Sequence, residues 1–219
     1  MSEPRFQGWS DAALEFYAGL EADNSKAYWT EHRPTFDEQV NAPMLALVAE
    51  LELRLGPGKV MRPYRDIRFT KDKSPYRTAL GARVGDGYIQ ISARGLGAGC
   101  GYYHLMSDQL ARYRSAVDSP ESGSRLVDLI AEIEHRGVEI SGTDPLKSAP
   151  RGYPLDHPRI ELLRCKGLIA WKQWQPEPWL ATPAVKTRIL ELFEQTAPLM
   201  GWLNAEVGPS TEPVRGRSV

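Results

Sequence analysis

The stretch from Arg62 to Thr78 concentrates positive charge that could bind an anion. It reads RPYRDIRFTKDKSPYRT and holds six cations and two acids, in a chain of formal net charge −1. A charge-assisted hydrogen bond to a bound anion is worth about 1.5–3 kcal/mol, whereas an exposed ion pair contributes about 0–1 kcal/mol. Cations this dense repel one another unless acids or a bound anion compensate them. The stretch therefore predicts an anionic ligand, and the residues assigned to it are Arg65, Arg68, Lys71, Lys73, Tyr76 and Arg77.

A second group of cations lies in the segment LKSAPRGYPLDHPRIELLRCKG, residues 146–167. A loop that leads into a helix at Pro158 offers both backbone N–H groups and side-chain cations to an anion. Taken alone, this segment favours the alternative of a solvated loop and an ordinary polar helix face. From it, Arg151 and His157 are further candidates for binding the ligand, and Tyr102 of the predicted hairpin is another.

Proton transfer has weaker candidates. Histidine titrates near neutrality, so His104 with Asp66 is the pair that we assign to acid–base chemistry, although a lone histidine on a strand is more often structural. The sequence has no phosphate loop ending in Lys-Ser or Lys-Thr and no nucleophile elbow. The glycines of GLGAGCG lie between two predicted strands, where a dinucleotide fingerprint would need a helix. We therefore predict no cofactor and no metal.

The elements that position these residues follow from hydrophobic spacing. Apolar residues recur three or four apart at both ends of the chain, which predicts helices, with Ser10 and Asn24 as caps of the first two. Between them the period changes to two. We predict strands at 60–69, 79–84, 87–94 and 100–106, with a hairpin turn at Gly95, Gly97 and Gly99. The fold class is α+β, a single domain over residues 1–207 with an antiparallel sheet flanked by N-terminal and C-terminal helices, and a disordered tail at 208–219.

Alternation along these strands separates two faces of the sheet. Ile67 and Phe69 are assigned to the core, and Arg65 shares their face, so we expect Arg65 to be buried against a carboxylate. The opposite face would form a polar floor beside the basic loop; its members are Asp66, Arg68, Gln90, Ser92, Tyr102 and His104. Because antiparallel sheets commonly have one wet face, a polar face alone does not establish a site.

Composition limits the class of protein. The chain has 219 residues, of which 42% are hydrophobic and 25% charged, as in ordinary folded proteins. No apolar run reaches the ~20 residues of a membrane-spanning helix. The N-terminus lacks the pattern of a secretory signal, and Cys100 and Cys165 stand alone, so we expect a cytoplasmic protein with reduced thiols. A net charge of −1 argues against a protein that coats nucleic acid.

Four blocks of the sequence resemble, in the same order, successive blocks of a known family. They are LEFYAGLEADNSKAYWTEHRPTF, RDIRFTKDKSPYRT, YIQISARGLGAGCGYYHLMSDQLARYR and PRGYPLDHPRIELLRCKG. Over roughly residues 6–205 the chain resembles a widespread, mainly bacterial family described as domain of unknown function 2461. The resemblance implies a compact cytosolic domain and assigns no catalytic residue. One departure is Asp23-Asn24, where the family's pattern leads us to expect two asparagines.

Two functions of different classes are compatible with these residues. In the first, the cations converge in a concavity and bind a small phosphorylated or carboxylated molecule, as an enzyme or a sensor would. In the second, which we favour less, they spread over an open face that contacts a nucleic-acid backbone or an acidic protein. A third interpretation is a purely structural network of cations, each with its own acidic partner. The sequence leaves the oligomeric state open and predicts no contact with a membrane.

Overall fold

The computed structural model of the protein describes residues 5–66, 68 and 72–212. In that part of the chain it confirms the predicted α+β class, with helices and a six-stranded antiparallel sheet. The strands are β1 Gly58–Val60, β2 Ala79–Val84, β3 Gly87–Ser92, β4 Gly95–Tyr102, β5 Glu139–Gly142 and β6 Leu168–Trp174. Their order in the sheet is β1-β2-β3-β4-β6-β5.

The chain divides into two compact units. The first comprises Met1–Gly99 and Gln173–Leu192, and the second comprises Cys100–Lys172 and Phe193–Val219. We describe each unit by itself, and the single domain expected over residues 1–207 stays a prediction. Among the described residues, no helix is both long and apolar enough to cross a membrane.

The N-terminal helices of the first unit follow the predicted spacing. They are α1 Asp11–Ala22, α2 Lys26–Glu31, α3 Arg33–Thr35 and α4 Ala42–Leu55, and a π-helical segment, Phe36–Asn41, joins the last two. Pro43 lies in the first turn of α4 and has no N–H to donate to the preceding turn, which is where the helix widens. Ser10 precedes α1, but its hydroxyl donates to Gln39 at 2.9 Å and makes no cap bond.

The core of the first unit lies between these helices and one face of the sheet. Helix α1 packs on β3, and α4 packs on β1 and β2. Alternation along β3 is confirmed, because Ile89 and Ile91 are fully buried whereas Tyr88 and Gln90 are half-buried. Strand β2, which pairs with β3, contributes Leu80, Ala82 and Val84 to the same core.

The predicted strand at 60–69 is wrong over most of its length. Strand β1 ends at Val60, and Arg65 and Asp66 have no strand geometry. Pro63 cannot donate a ladder hydrogen bond, which explains why the strand does not continue. Ile67 and Phe69, on which the assignment of faces depended, lie outside the described residues.

The turn of the predicted hairpin is also displaced. Ala93 and Arg94 form it, and the three glycines assigned to the turn lie inside β4. The hydroxyl oxygen of Ser92 accepts a hydrogen bond from the N–H of Arg94 at 3.2 Å, which closes the turn early. Gly95 has φ +90°, and a Cβ there would lie 2.4 Å from the carbonyl oxygen of Trp174. Glycine at this position therefore permits a close approach of two backbones.

The second unit contains α5 Ser107–Asp118, α6 Pro120–His135 and α7 Ile160–Arg164. Helix α5 packs on α6 and α7, and α6 packs on β5. Strand β5 is not among the strands that the sequence predicted. Tyr113 and Trp202 are fully buried with their rings edge to face at 6.2 Å. Trp202 belongs to the last helix, α8 Ala184–Glu206, which continues through Pro198.

The residues after α8 are tied to α5. The carboxylate of Asp108 accepts from the hydroxyl of Ser210 at 2.7 Å and from the N–H of Thr211 at 2.8 Å. Arg112 donates to the carbonyl oxygens of Val207 and Pro209 at 2.6 and 2.8 Å. Residues 208–212 of the expected tail make these bonds or neighbour them, and residues 213–219 lie outside the described part of the chain.

Candidate functional site

The two ends of the basic stretch meet at an antiparallel bridge between Tyr64 and Tyr76. The N–H of Arg65 donates to the carbonyl of Pro75 at 2.8 Å, and the N–H of Arg77 donates to the carbonyl of Pro63 at 2.7 Å. We call residues 63–65 and 75–77 the neck. This pairing brings Arg65 and Arg77 together at the neck although the loop separates them in sequence.

Aromatic packing fixes the neck against the N-terminal helices. The ring of Tyr76 is buried and stacks on Trp29 with 4.4 Å between ring centroids and an interplanar angle of 8°. Trp29 also contacts Phe16, Phe36 and Tyr64, at centroid distances of 5.8, 4.8 and 5.9 Å. Because stacked aromatic pairs are more favourable than their buried area alone predicts, this cluster restricts where the neck can lie.

The side chain of Asn24 holds the backbone of the neck. Its Nδ2 donates to the carbonyl oxygen of Tyr76 at 3.2 Å, and its Oδ1 accepts from the N–H of Tyr76 at 3.0 Å. The expected role of Asn24 as a helix cap is wrong, because Ser25 caps α2 by accepting from the N–H of Tyr28 at 3.1 Å. Asp23 supports that cap by accepting from the N–H of Ser25 at 3.1 Å.

The polar face of β2 and β3 lies beside the neck. Gly81 is paired with Gln90, and Arg83 is paired with Tyr88. A Cβ on Gly81 would lie 2.3 Å from the hydroxyl oxygen of Tyr88, so the absent side chain leaves room for the Tyr88 ring. The Tyr88 hydroxyl donates to Oε1 of Gln90 at 3.2 Å.

Between the neck and this face lies a pocket of about 260 Å³, which we call the neck pocket. Two charged residues line it, and both are arginines, Arg65 and Arg77. No described residue that lines it carries a carboxylate. The other polar side chains around it belong to tyrosine, threonine and glutamine. The full lining is Met61, Arg65, Tyr76, Arg77, Thr78, Ala79, Gly81, Tyr88 and Gln90.

The two arginines differ in their partners. Arg65 forms an ion pair with Asp72, and its side chain is 31% exposed. The expectation that Arg65 has a carboxylate partner is therefore confirmed, while the expected burial is wrong. Arg77 is exposed, its Nε reaches the carbonyl oxygen of Tyr64 at 3.4 Å, and no carboxylate in the described residues pairs with it.

The electrostatics of the pocket favour a negatively charged ligand and keep the phenol of Tyr88 neutral. Burial raises the pKa of Tyr88, and the positive charges of Arg77 and Arg83 oppose that shift. Tyr88 therefore stays protonated at neutral pH and can donate a hydrogen bond. Since Oε1 of Gln90 accepts that bond, the amide N–H groups of Gln90 remain as donors.

The remaining candidates of the basic stretch lie away from the lining. Arg68 pairs with Asp66 through two hydrogen bonds, at 3.0 and 2.9 Å, and both side chains are more than half exposed. Lys73 is exposed and is not among the lining residues of the described chain. Lys71 lies outside the described residues. Of the described candidates in the basic stretch, Arg65, Tyr76 and Arg77 therefore line the neck pocket, and Arg68 and Lys73 do not.

The candidates of the second unit have separate surroundings. The hydroxyl of Tyr102 donates to Asn204 at 2.8 Å, and His104 is exposed in a bend after β4. His157 contacts Asp118 at 3.1 Å, and Arg151 is exposed. Ser92, from the predicted polar floor, is buried and closes the turn described above.

A second hollow in the first unit differs in charge. It has a volume of about 580 Å³ and is lined by Arg5, Phe6, Gln7, Ala46, Ala49, Glu50, Leu53, Pro183 and Lys186. Glu50 pairs there with Lys186 and accepts from the N–H of Phe6 at 2.8 Å. A carboxylate lines this hollow itself, whereas Asp72, the partner of Arg65, does not line the neck pocket, so the hollow is the weaker anion site. In the described chain no group of three His, Cys, Asp or Glu residues could hold a metal ion.

Comparison with known proteins gives one match. A family model described as "Conserved hypothetical protein (DUF2461)" matches residues 12–202, which include the neck, the aromatic cluster and the polar face of β2 and β3. Neither the curated proteins nor the solved structures contain a match to the chain.

Proposed function

This chain belongs to the family of conserved hypothetical proteins DUF2461, and we propose that its neck pocket binds a small anionic molecule. One observation carries the proposal: the charged side chains that line the pocket are both arginines, without a carboxylate among the described lining residues. A bound anion would compensate this charge and accept several hydrogen bonds at once.

The available donors suit a carboxylate or a phosphate group. A guanidinium carries five N–H donors in a fixed fork, which matches two oxygen atoms of such a group. Asp72 engages Nη1 of Arg65, and the other nitrogens of that guanidinium remain for a ligand. Arg77 supplies the second cation, and the amide of Gln90 and the hydroxyl of Thr78 supply neutral polar groups at the wall.

The size of the pocket favours a small molecule over a nucleic-acid backbone. Ligand pockets for drug-sized molecules measure about 300–1,000 Å³. The neck pocket, at about 260 Å³, holds an anionic group with few further atoms. Its arginines line a concavity, which is the arrangement that distinguishes the small-molecule hypothesis from an open binding face.

We propose that the neck pocket binds a ligand, and we propose no catalysed reaction there. Neither His104 nor Asp66 lines the neck pocket, and Asp66 is engaged by Arg68. We also propose that the protein is cytoplasmic, a location supported by Cys100 and Cys165, which are both buried and not joined in a disulfide.

The test is a titration of the wild-type protein and of Arg77→Ala with inorganic phosphate, sulfate, citrate and a short single-stranded oligonucleotide. We expect a small anion to bind the wild type and to bind Arg77→Ala more weakly by about 1.5–3 kcal/mol, the value of one charge-assisted contact. The matched control is Arg125→Ala, which removes an exposed arginine from α6 and should leave binding unchanged.

Two results would contradict the proposal. Equal loss of affinity in Arg77→Ala and Arg125→Ala would show that net charge alone determines binding. Binding of the oligonucleotide without binding of any small anion would favour the alternative of a nucleic-acid module.

A further inference from the structure

We infer that Asn24 is a positioning residue of the neck pocket, because its side chain holds the backbone next to Arg77. The inference rests on the proposed function, since a positioning role needs a ligand site to serve. It assigns to Asn24 a role in place of the helix cap that the sequence predicted, and it names a residue that does not line the pocket.

The bridge at the neck leaves the backbone of Tyr76 without a partner on its outer side. In an antiparallel pair, residues that do not exchange hydrogen bonds point their N–H and C=O groups away from each other. Tyr64 and Tyr76 are such a pair, because the bonds across the neck belong to Arg65 with Pro75 and to Arg77 with Pro63. The outward N–H and C=O of Tyr76 are therefore those that Asn24 satisfies.

Asn24 thus replaces a neighbouring strand with a single side chain. Its amide presents one acceptor and one donor, in the arrangement that a strand backbone would present. The bonds link residues that are 52 positions apart in sequence, so no local turn could supply them. Stacking on Trp29 fixes the ring of Tyr76, and Asn24 fixes its backbone.

Arg77 directly follows this fixed residue. A rotation or shift of the Tyr76 backbone moves the Cα of Arg77, and with it the guanidinium that lines the neck pocket. Small displacements of a binding group are costly, because charge-assisted hydrogen bonds form only at short donor–acceptor distances of about 2.7–2.9 Å. Holding Tyr76 therefore holds the orientation of Arg77 toward the ligand.

The neighbours of Asn24 isolate this role from helix capping. Ser25 provides the cap of α2, and Asp23 provides the turn that precedes it. Ser25→Ala is consequently a matched control, because it removes one side-chain hydrogen bond from the same segment without touching the neck.

The first measurement is the affinity for inorganic sulfate, which keeps its charge over the pH range used here, at a temperature well below unfolding of every variant. We expect Asn24→Ala to weaken sulfate binding about tenfold, as the loss of one charge-assisted contact would, and Ser25→Ala to leave it unchanged, although both lower the melting temperature. Hydrogen exchange of the Tyr76 and Arg77 amides should accelerate in Asn24→Ala and not in Ser25→Ala.

The second measurement separates positioning from general loss of stability. In Asn24→Asp the ionised carboxylate still accepts from the N–H of Tyr76 but repels its carbonyl oxygen. The ordinary pKa of aspartate is about 3.9, and the nearby carbonyl oxygen raises it, so the side chain gains a proton as the pH falls from about 8 to about 4.5. The proton restores a hydrogen-bond donor to the carbonyl oxygen of Tyr76. The ratio of the sulfate affinity of Asn24→Asp to that of the wild type should therefore rise toward one over this range. The new negative charge by itself also repels sulfate, and protonation relieves that repulsion, so Ser25→Asp is the charge control. A positioning role predicts a larger recovery of affinity in Asn24→Asp than in Ser25→Asp, and equal recovery would contradict it.

The outcomes distinguish this inference from the proposed function. If the wild type binds sulfate and Asn24→Ala binds it equally well, the positioning role is refuted and the anion site stands. The same holds if Ser25→Ala loses as much affinity as Asn24→Ala. If the wild type binds neither sulfate nor phosphate, the proposed function fails first, and the positioning role fails with it.

Discussion

The protein has two segments rich in cations, residues 62–78, whose ends form the neck, and residues 146–167. The cations of the two segments differ in their partners. In the second segment three of the cations are engaged within their own unit. Arg164 pairs with Glu161 at 2.8 Å, and Lys166 pairs with Asp144 at 2.7 Å. Arg159 donates to the carbonyls of Val117, Asp118 and Ser119 at 2.6–3.2 Å, where helix α5 ends. At the neck, Arg77 has no carboxylate partner among the described residues and lines a pocket.

The difference shows that density of charge in a sequence does not identify a ligand site. Residues 62–78 hold six lysines and arginines and residues 146–167 hold five, so both segments are rich in cations, and their partners distinguish them. The last carbonyls of a helix have no partner within the helix, so a nearby arginine is stabilising there. A cation with such a partner serves the fold, and one that faces a concavity without an acid is available to a ligand.

The largest effect that we expect in this comparison is on stability, from Arg159→Ala. This change removes three hydrogen bonds from a charged donor to the end of α5, and should lower the free energy of unfolding by about 2–4 kcal/mol. A denaturant titration measures it, with Arg151→Ala, an exposed arginine of the same segment, as the control. Anion binding at the neck pocket should not change in either variant. Equal stability of the two variants would contradict the structural assignment of Arg159.

Arg65→Ala should have a smaller effect on stability and a measurable effect on binding. Its ion pair with Asp72 is half-exposed, with 31% and 56% of the two side chains accessible, so solvent weakens the pair. Breaking a buried ion pair would cost about 3–5 kcal/mol. We expect the free energy of unfolding to fall by far less than that in Arg65→Ala. Affinity for sulfate should fall, and Arg65→Lys should recover part of it. A large loss of stability would instead support the burial expected from sequence.

Acid should act on the neck through Asp72. Hydrogen bonds from Ser74, followed by the guanidinium of Arg65, hold the pKa of Asp72 far below its usual range. Because the folded pKa is lowered, the stabilisation is present above the unfolded pKa of about 3.9 and is lost as the pH falls below it. The difference in unfolding midpoint between wild type and Asp72→Asn should therefore stay constant from about pH 8 to about pH 5 and shrink under more acidic conditions. A difference that grows in acid would reverse the assigned sign.

The smallest effect should come from Arg68→Ala. Arg68 is 64% exposed and contacts Asp66 two positions away, so its ion pair is local and solvated. We expect neither the unfolding midpoint nor the sulfate affinity to change beyond experimental error. If Arg68→Ala weakened binding as strongly as Arg77→Ala, the ligand would extend beyond the neck pocket along the loop.

Much of the fold could be predicted from the sequence because its signals are local. Helices α1, α4, α5 and α6 have apolar residues three or four apart, and β3 alternates buried and half-buried residues. Errors occurred where a distant residue decides the backbone. The glycines of β4 suggested a turn, but Gly95 is needed where the carbonyl of Trp174 approaches closely.

The sequence by itself determined the α+β class, most helix positions and the location of positive charge along the chain. Each of these depends on residues within a few positions of one another. Only the tertiary structure decided which cations are engaged. The partners of Arg159 are about 40 positions away, and Asn24 reaches Tyr76 across 52 positions. Hydrogen bonds between distant residues produce no periodic pattern in a sequence, so the sequence does not reveal the partners of Arg77 or Arg159. In the folded chain Arg77 lines a pocket, and Arg159 donates to the carbonyl groups at the end of α5.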